Sequence, residues 1–225
     1  MTNNLLWLLL LFINFSGIIL SYKLFSKTGL YIWIAMAAII ANIQVINTVE
    51  VFGYVTTLGN IIYGTSYLAT DILNENYGKK EAQKGVYVGV FILFTVTIIM
   101  TICYYFIPLQ TDDSIYTNNA FKTIFGFLPR VAFASLIAYF VSQLHDVWAF
   151  DYWKQKKPKH LWVRNNLSTL TSQLLDNVIF TVLAFWGVFE FNIILEIFIT
   201  TYIMKFIVAA LDTPFVYISK KINIK

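Results

Sequence analysis

Two similar stretches of polar residues stand out from the apolar sequence around them. The sequence SQLHD at residues 142–146 recurs as SQLLD at residues 172–176. Because residues three and four apart share one face of a helix, each stretch aligns a hydroxyl, an amide and a carboxylate. Such groups donate and accept hydrogen bonds, and they are costly in hydrocarbon unless they face other helices or a water-filled cavity. We therefore expect the two stripes to line a small-molecule binding cavity within a membrane protein.

The amino-acid composition indicates an integral membrane protein. Of the 225 residues, 58% are hydrophobic and 12% are charged, and the mean hydropathy is +0.68, whereas about a quarter of the residues in soluble domains are charged. The length suits a single polytopic domain over residues 1–225, so we predict an all-α membrane fold surrounded by the lipid bilayer. The net charge of +4 does not indicate a nucleic-acid partner, because the basic residues lie between apolar runs.

Residue patterns of metal centres and enzyme active sites are absent from the sequence. Cys103 is the only cysteine, which excludes an intrachain disulfide and a thiolate cluster. His145 and His160 lack metal-ligand spacing, and there is no phosphate loop, G-x-S-x-G or H-E-x-x-H motif. We expect no cofactor, no metal and no enzymatic activity. Acid–base catalysis by intramembrane aspartates is the alternative.

Seven apolar runs are each long enough to cross a bilayer as a helix of about 20 residues. They cover residues 5–22, 29–52, 57–77, 85–108, 128–152, 162–188 and 192–219. The third run is rich in polar residues, so its helix must be surrounded by protein rather than lipid. Between the fourth and fifth runs, Ile115, Phe121, Phe125 and Leu128 predict a short interfacial helix within residues 115–127.

Basic residues are concentrated in alternate loops. Thirteen of the sixteen follow the first, third, fifth and seventh runs: Lys23, Lys27, Lys79, Lys80, Lys84, Lys154, Lys156, Lys157, Lys159, Arg164, Lys220, Lys221 and Lys225. The positive-inside rule assigns those loops to the cytoplasm. We therefore predict a multi-pass protein of the cell membrane, with its N-terminus outside and its C-terminus in the cytoplasm.

Five intramembrane charges lie at related depths. Asp71, Asp146 and Asp212 each precede a lysine by eight residues, which places them about 12 Å from the cytoplasmic edge. By the same measure Asp176 lies about 18 Å and Lys205 about 22 Å from that edge. Four helices thus bring four aspartates and one lysine to the inner half or the middle of the membrane, where charged residues usually serve a function.

Each of these residues also has a structural interpretation. Asp146 pairs with Lys154, and Asp212 with Lys220, if the long lysine side chains reach back along the helix. Lys205 in the last run is either a ligand-binding group or a counter-ion for Asp176 or Asp212. The stripe glutamines either face the cavity or join neighbouring helices.

Several longer motifs resemble the queuosine precursor transporter family, also called the vitamin uptake transporter family. They are ATDILNENYGKKEA at residues 69–82, residues 142–150, residues 164–176, and Tyr202-x-x-Lys205 followed by Asp212-Thr213-Pro214. The resemblance extends from about Gly29 to Lys221. It implies a core of six transmembrane helices over residues 29–221, similar to the substrate-binding subunits of energy-coupling vitamin transporters. Residues 1–28 are then an extra N-terminal helix and loop.

The resemblance implies import of a queuosine precursor: 7-cyano-7-deazaguanine, 7-aminomethyl-7-deazaguanine or queuine. A deazaguanine presents adjacent N–H donors that one carboxylate accepts in a two-point hydrogen bond, and its ring oxygen suits a lysine or glutamine donor. The alternative is a substrate-binding subunit of an ATP-driven vitamin transporter, which docks an ATPase module through small residues such as Ala37 and Ala41. A homo-oligomer is a further possible assembly.

We expect eight residues to form the substrate site: Asp71, Asn74, Gln143, Asp146, Gln173, Asp176, Lys205 and Asp212. Asp146 and Asp176 accept hydrogen bonds from the base, and Gln143, Gln173 and Lys205 donate to its carbonyl or ring nitrogen. Asp71 and Asn74, which lie in the third run, close the cytoplasmic side. The aspartate of the last run, beside the proline that breaks its helix, serves the gate.

Overall fold

The computed structural model describes residues 2–125 and 129–222, most of which are helical. The elements follow in the order α1 (Asn3–Gln44), β1 (Thr48–Val51), β2 (Tyr54–Thr57), α2 (Gly59–Tyr77), α3 (Lys79–Tyr104), α4 (Asp112–Phe125), α5 (Pro129–Lys156), α6 (Leu161–Phe185) and α7 (Phe191–Lys221). The fold is therefore an α-helical bundle with one small β-hairpin.

Helix α1 is a helical hairpin, because the backbone of Ser26 is not helical (φ 57°, ψ −144°). The arms at residues 3–25 and 27–44 pack against each other in opposite directions. The Ser21 hydroxyl donates to the carbonyl of Gly29 at 3.0 Å, and Gly17 lies against the ring of Trp33. The first two apolar runs thus form two separate arms, as predicted.

The turn depends on close approach of the two arms at Gly29. A Cβ atom at this position would lie 2.2 Å from the carbonyl oxygen of Ser21. We expect Gly29→Ala to lower the free energy of unfolding by about 2 kcal/mol, because the backbone carbonyl cannot move without displacing its helix. Thermal unfolding in detergent measures this loss. Gly17→Ala is the matched control and should cost less, since its added methyl meets the Trp33 side chain rather than backbone; equal losses would contradict the explanation.

Hydropathy predicts that the second apolar run is helical to residue 52, but the structure shows an earlier end. Helix α1 ends at Gln44, and β1 pairs with β2 as an antiparallel hairpin. Phe52 and Gly53 have φ angles of 52° and 80°, as a two-residue hairpin turn requires. The hairpin is tied to the start of α1, where the Asn3 amide donates to the carbonyl of Glu50 at 3.1 Å and the Phe52 N–H donates to Asn4 at 2.8 Å.

Helix α2 occupies the centre of the bundle. It packs against α1, α3, α5 and α7, and every residue from Gly59 to Asn74 is buried except Tyr63, which is half-buried. Enclosure by protein explains how a helix with so many polar residues is accommodated. The prediction that the third run avoids lipid is confirmed.

Four of the described helices are long and apolar enough to cross a membrane, namely α1, α3, α6 and α7. Helices α2 and α5 carry more polar residues, and several of these are buried within the bundle, among them Asp71, Gln143 and Asp146. Helix α4 corresponds to the predicted short helix, although it begins at Asp112, and no residue of it is buried. Leu128, which was expected on that helix, lies outside the described residues.

The loops after the odd-numbered runs gather at one end of the bundle. Lys27 pairs with Glu81 at 3.3 Å, and Lys79 pairs with Asp151 at 3.8 Å. At the same end, Lys220 approaches Glu75 of α2 to 2.7 Å. The separation of basic loops to one side, on which the predicted orientation depends, is thus present in the fold. Lys225 lies outside the described residues.

Candidate functional site

A cavity of about 570 Å³ lies between the helices and the β-hairpin. This volume suits a small heterocyclic ligand. Residues 53–57 of the hairpin line one side of the cavity, and α1, α2, α3, α5, α6 and α7 supply the other walls. Along three of these helices the lining ends, going away from the hairpin, at Tyr63, Asp176 and Lys205. These three side chains therefore form the base of the cavity.

An ion pair occupies this base. The Lys205 ammonium lies 2.6 Å from Oδ2 of Asp176, and both side chains are almost fully buried. The Tyr63 hydroxyl donates to Oδ1 of Asp176 at 2.5 Å, and the Ser142 hydroxyl donates to the same oxygen at 3.2 Å. Lys205 also lies 5.2 Å from the centre of the Tyr63 ring. Helices α2, α5, α6 and α7 thus converge on one carboxylate.

The glutamines of the two stripes do not line the cavity. The Gln143 side chain donates to Ser66 at 2.8 Å and accepts a hydrogen bond from Thr70 at 3.2 Å. It therefore joins α5 to α2. Gln173 is fully buried, and its amide has no hydrogen-bond partner among the described residues.

Three of the predicted aspartates are buried together outside the cavity lining. Asp71 accepts a hydrogen bond from Thr169 at 3.1 Å, and Asp212 accepts one from the Asn165 amide at 2.7 Å. Asp146 lies beside Asp71 and interacts with it electrostatically, yet neither of its oxygens has a hydrogen bond of ordinary geometry in the described chain. These aspartates come from α2, α5 and α7.

The lysines near these aspartates in sequence bind elsewhere. Lys154 donates to the carbonyls of Asn74 and Glu75 at 2.8 and 2.9 Å. Lys220 pairs with the Glu75 carboxylate. Within residues 2–125 and 129–222, neither lysine forms an ion pair with Asp146 or Asp212. The alternative in which each aspartate pairs with its own loop lysine therefore does not describe this fold.

Of the eight residues predicted to bind substrate, the structure places Asp176 and Lys205 in the cavity wall. The other six are buried outside the cavity lining: Asp71, Asn74, Gln143, Asp146, Gln173 and Asp212. Asn74 donates its amide to the carbonyl of Val147 at 3.0 Å, which joins α2 to α5. Substrate binding by all eight stays a prediction.

Sequence reasoning missed two residues that organise this region. Tyr63 reaches Asp176, but a tyrosine in an apolar run carries no signal that distinguishes it from a packing residue. Glu75 binds Arg164 at 2.6 Å and Lys220 at 2.7 Å. The sequence did contain a signal for Glu75, because an acidic residue close to several basic loops is expected to form ion pairs with them.

Comparisons with known proteins give a consistent family assignment. The sequence profile described as "Putative vitamin uptake transporter" matches residues 57–219. The chain is 45% identical to the "Probable queuosine precursor transporter" of Bacillus subtilis (strain 168), over 98% of this chain and 96% of the relative. It is 25% identical to the "Queuosine precursor transporter" of Escherichia coli (strain K12), over 73% and 74% of the two chains.

The match to the Bacillus subtilis relative covers 98% of this chain, so the first arm of α1 is shared with that relative. No solved structure matches the chain significantly. The profile covers well over half of the chain, and the motifs at residues 69–82, 142–150 and 164–176 lie within it. The chain therefore belongs to the vitamin uptake transporter family, the family of queuosine precursor transporters that its sequence motifs resemble.

Proposed function

We propose that the chain imports a queuosine precursor across the cell membrane: 7-cyano-7-deazaguanine, 7-aminomethyl-7-deazaguanine or queuine. The observation that carries the proposal is the cavity that ends on the buried Asp176–Lys205 pair. A carboxylate beside an ammonium matches the edge of a deazaguanine, which has adjacent N–H donors next to a carbonyl acceptor. The names of the relatives support the same class of substrate.

The base enters from the hairpin side and lies with its polar edge toward Asp176 and Lys205. Tyr54 and Tyr63 line the cavity, and aromatic rings of this kind stack on a flat heterocycle. The burial of Asp176 and Lys205 strengthens recognition of the substrate, because charge-assisted hydrogen bonds are stronger where water is excluded.

The remaining predicted residues belong to the inner half of the same route. Asp146, Gln143 and Gln173 contact the base as it passes inward, when the contacts between α2 and α5 open. Asp71 and Asn74 close the cytoplasmic side, and Asp212 serves the gate. The proposal assigns these roles to a state in which the route extends beyond the present cavity.

The proposed architecture is a six-helix core over residues 29–221, similar to the substrate-binding subunits of energy-coupling vitamin transporters, preceded by an extra N-terminal helix. In this arrangement the N-terminus is outside and the C-terminus is in the cytoplasm. The first arm of α1 then holds the outer β-hairpin through the contacts of Asn3 and Asn4.

Uptake of a radiolabelled precursor tests the proposal. Cells that cannot make the precursor should accumulate label and recover the modified tRNA only when they express this chain. Purified protein in liposomes should also take up the precursor without partner proteins. Absence of uptake in both systems would contradict import, whereas uptake only with an added ATPase module would favour the binding-subunit alternative.

We expect Tyr63→Phe to tighten substrate binding by about tenfold. The Asp176 carboxylate has about four acceptor positions, and Tyr63, Ser142 and Lys205 occupy three of them. A two-point bond to the base needs a second free position, so the base must displace one donor. A hydrogen bond to a charged group contributes about 1.5 kcal/mol or more, which corresponds to about tenfold in affinity.

The dissociation constant of purified protein for the labelled precursor measures this effect. Tyr87→Phe on the exposed face of α3 is the matched control. Weaker binding by Tyr63→Phe would show instead that the Tyr63 hydroxyl orients Asp176 or contacts the substrate.

A further inference from the structure

Helices α2, α5, α6 and α7 enclose a group of polar side chains with more acceptors than donors. We call Asp71, Asp146, Asn165 and Asp212 the acceptor cluster. All four side chains are buried, with exposed fractions of 0 or 1%. Asn165 joins the group because its amide nitrogen donates to Oδ1 of Asp212 at 2.7 Å. Asp146 interacts electrostatically with both other aspartates.

Five oxygens of the acceptor cluster accept no hydrogen bond of ordinary geometry from the described residues. They are Oδ1 of Asp71, both carboxylate oxygens of Asp146, Oδ2 of Asp212 and Oδ1 of Asn165. The hydroxyls of Ser168, Thr169 and Ser172 lie near Asp146, but they donate to the Asn165 carbonyl, to Asp71 and to the Ser168 carbonyl. The amide oxygen of Asn165 is independent of the acidic charges, yet it lacks a donor as well. A buried acceptor without a donor is strongly unfavourable, and a buried unpaired carboxylate more so. A donor or a cation bound here would satisfy these oxygens.

Among the described residues, no lysine or arginine forms an ion pair with the cluster. In the part of the chain that the structure describes, the lysines and arginine that form ion pairs do so with Glu75, Glu81, Asp151 or Asp176. The groups that face Asp146 are Asp71 and Tyr67 from α2, Asp212 from α7, and the hydroxyls of α6 at residues 168, 169 and 172. His145 on α5 approaches only the Ser172 hydroxyl, at 2.9 Å.

We propose that the acceptor cluster binds a proton that is transported together with the substrate, so that a proton gradient drives accumulation. This inference rests on the import function proposed above. A proton on one carboxyl changes an acceptor into a donor for its neighbour, which removes one of the three negative charges and supplies one of the missing hydrogen bonds. Among the described residues no three His, Cys, Asp or Glu side chains are arranged to hold a metal ion, so we favour a proton over a metal cation.

Two hydroxyls lie between the cavity and the acceptor cluster. The Tyr67 and Ser142 hydroxyls are 2.7 Å apart, and Ser142 donates to Asp176 at 3.2 Å. Tyr67 interacts electrostatically with both Asp146 and Asp176. A base that takes over an acceptor position of Asp176 disturbs these hydrogen bonds. Substrate binding at Asp176 and protonation of the cluster therefore both affect the Tyr67 and Ser142 hydroxyls, which gives the two events a physical route for coupling.

Proteoliposomes that contain the whole chain test the inference. With the inside one pH unit more alkaline, labelled precursor should reach an inside concentration about tenfold above the outside, because one proton per substrate contributes a factor of ten per pH unit. In Asp146→Asn the ratio of uptake with and without the gradient should fall to one, whatever the basal rate. Asp151→Asn, at the exposed end of the same helix, is the matched control and should keep the wild-type ratio.

The outcomes separate this inference from the proposed function. Absence of wild-type uptake under every gradient would overturn import itself. Uptake that equilibrates but ignores the pH gradient would overturn proton coupling alone, and stimulation by a sodium gradient would assign the cluster to sodium. If Asp146→Asn does not fold, calorimetry on the wild type in buffers of different ionisation enthalpy decides. Substrate binding should then take up or release protons, and equal heats in all buffers would overturn the inference.

Discussion

Asp176→Asn is expected to reduce precursor uptake at low substrate concentration by about 100-fold or more. Asp176 is the carboxylate at the base of the cavity and the partner of Lys205. An amide offers one acceptor oxygen and an opposing N–H₂ group, so the two-point bond to the base is lost. Charge-assisted hydrogen bonds contribute about 1.5–3 kcal/mol each, and two of them correspond to a factor of at least 100 in affinity.

The same substitution leaves the buried Lys205 ammonium without its counter-ion, so folding must be separated from binding. The double variant Asp176→Asn/Lys205→Met removes both charges, and it should unfold at a temperature closer to wild type than the single variant does. Its uptake should remain as low, because the recognition groups are still missing. Uptake within threefold of wild type in either variant, at unchanged affinity, would remove Asp176 from the site.

The axial positions of the buried charges were predictable from sequence. Asp71, Asp146 and Asp212 were expected at one depth, and these three aspartates lie together in the structure. Asp176 and Lys205 were expected nearer the middle of the membrane, and they form a pair. A fixed rise per residue explains this success, because it converts sequence distance from a loop into depth. The rotation of each helix about its own axis, which decides where its side chains point, cannot be obtained from sequence distance in this way.

The side chains that face the cavity were therefore not predictable in full. Gln143 shares a stripe with Ser142, yet it turns toward Ser66 and Thr70 of α2. The β-hairpin over residues 48–57 was also missed, since hydropathy alone extends the second run to residue 52. Its alternating β-branched residues and the Phe52-Gly53 turn compete locally with helix formation. Both errors come from tertiary or local packing that hydropathy does not encode.

Glu75→Gln is expected to destabilise the end of the bundle opposite the β-hairpin by roughly 3 kcal/mol, which is the lower end of the range for breaking a buried ion pair. The Glu75 carboxylate accepts from Arg164 at 2.6 Å, and Lys154 and Lys220 lie 3.7 and 2.7 Å from it. Arg164 is only 2% exposed, so its charge loses its counter-ion where water cannot replace it. The effect stays at the lower end because both lysines are partly exposed and Arg164 also donates to the carbonyl of Pro158.

Thermal unfolding of the purified protein in detergent measures this loss, and Glu81→Gln is the matched control. Glu81 pairs with Lys27 at the same end of the bundle, but its side chain is partly exposed, so its replacement should leave the unfolding temperature unchanged.

Because Glu75 connects α2 to α5, α6 and α7 on the side opposite the cavity, its loss should also admit water at that end. Cysteine labelling of an introduced Ser219→Cys, which is buried in the wild type, should become faster in Glu75→Gln. Equal unfolding temperatures and equal labelling rates in the two variants would show that this network does not close that end of the bundle.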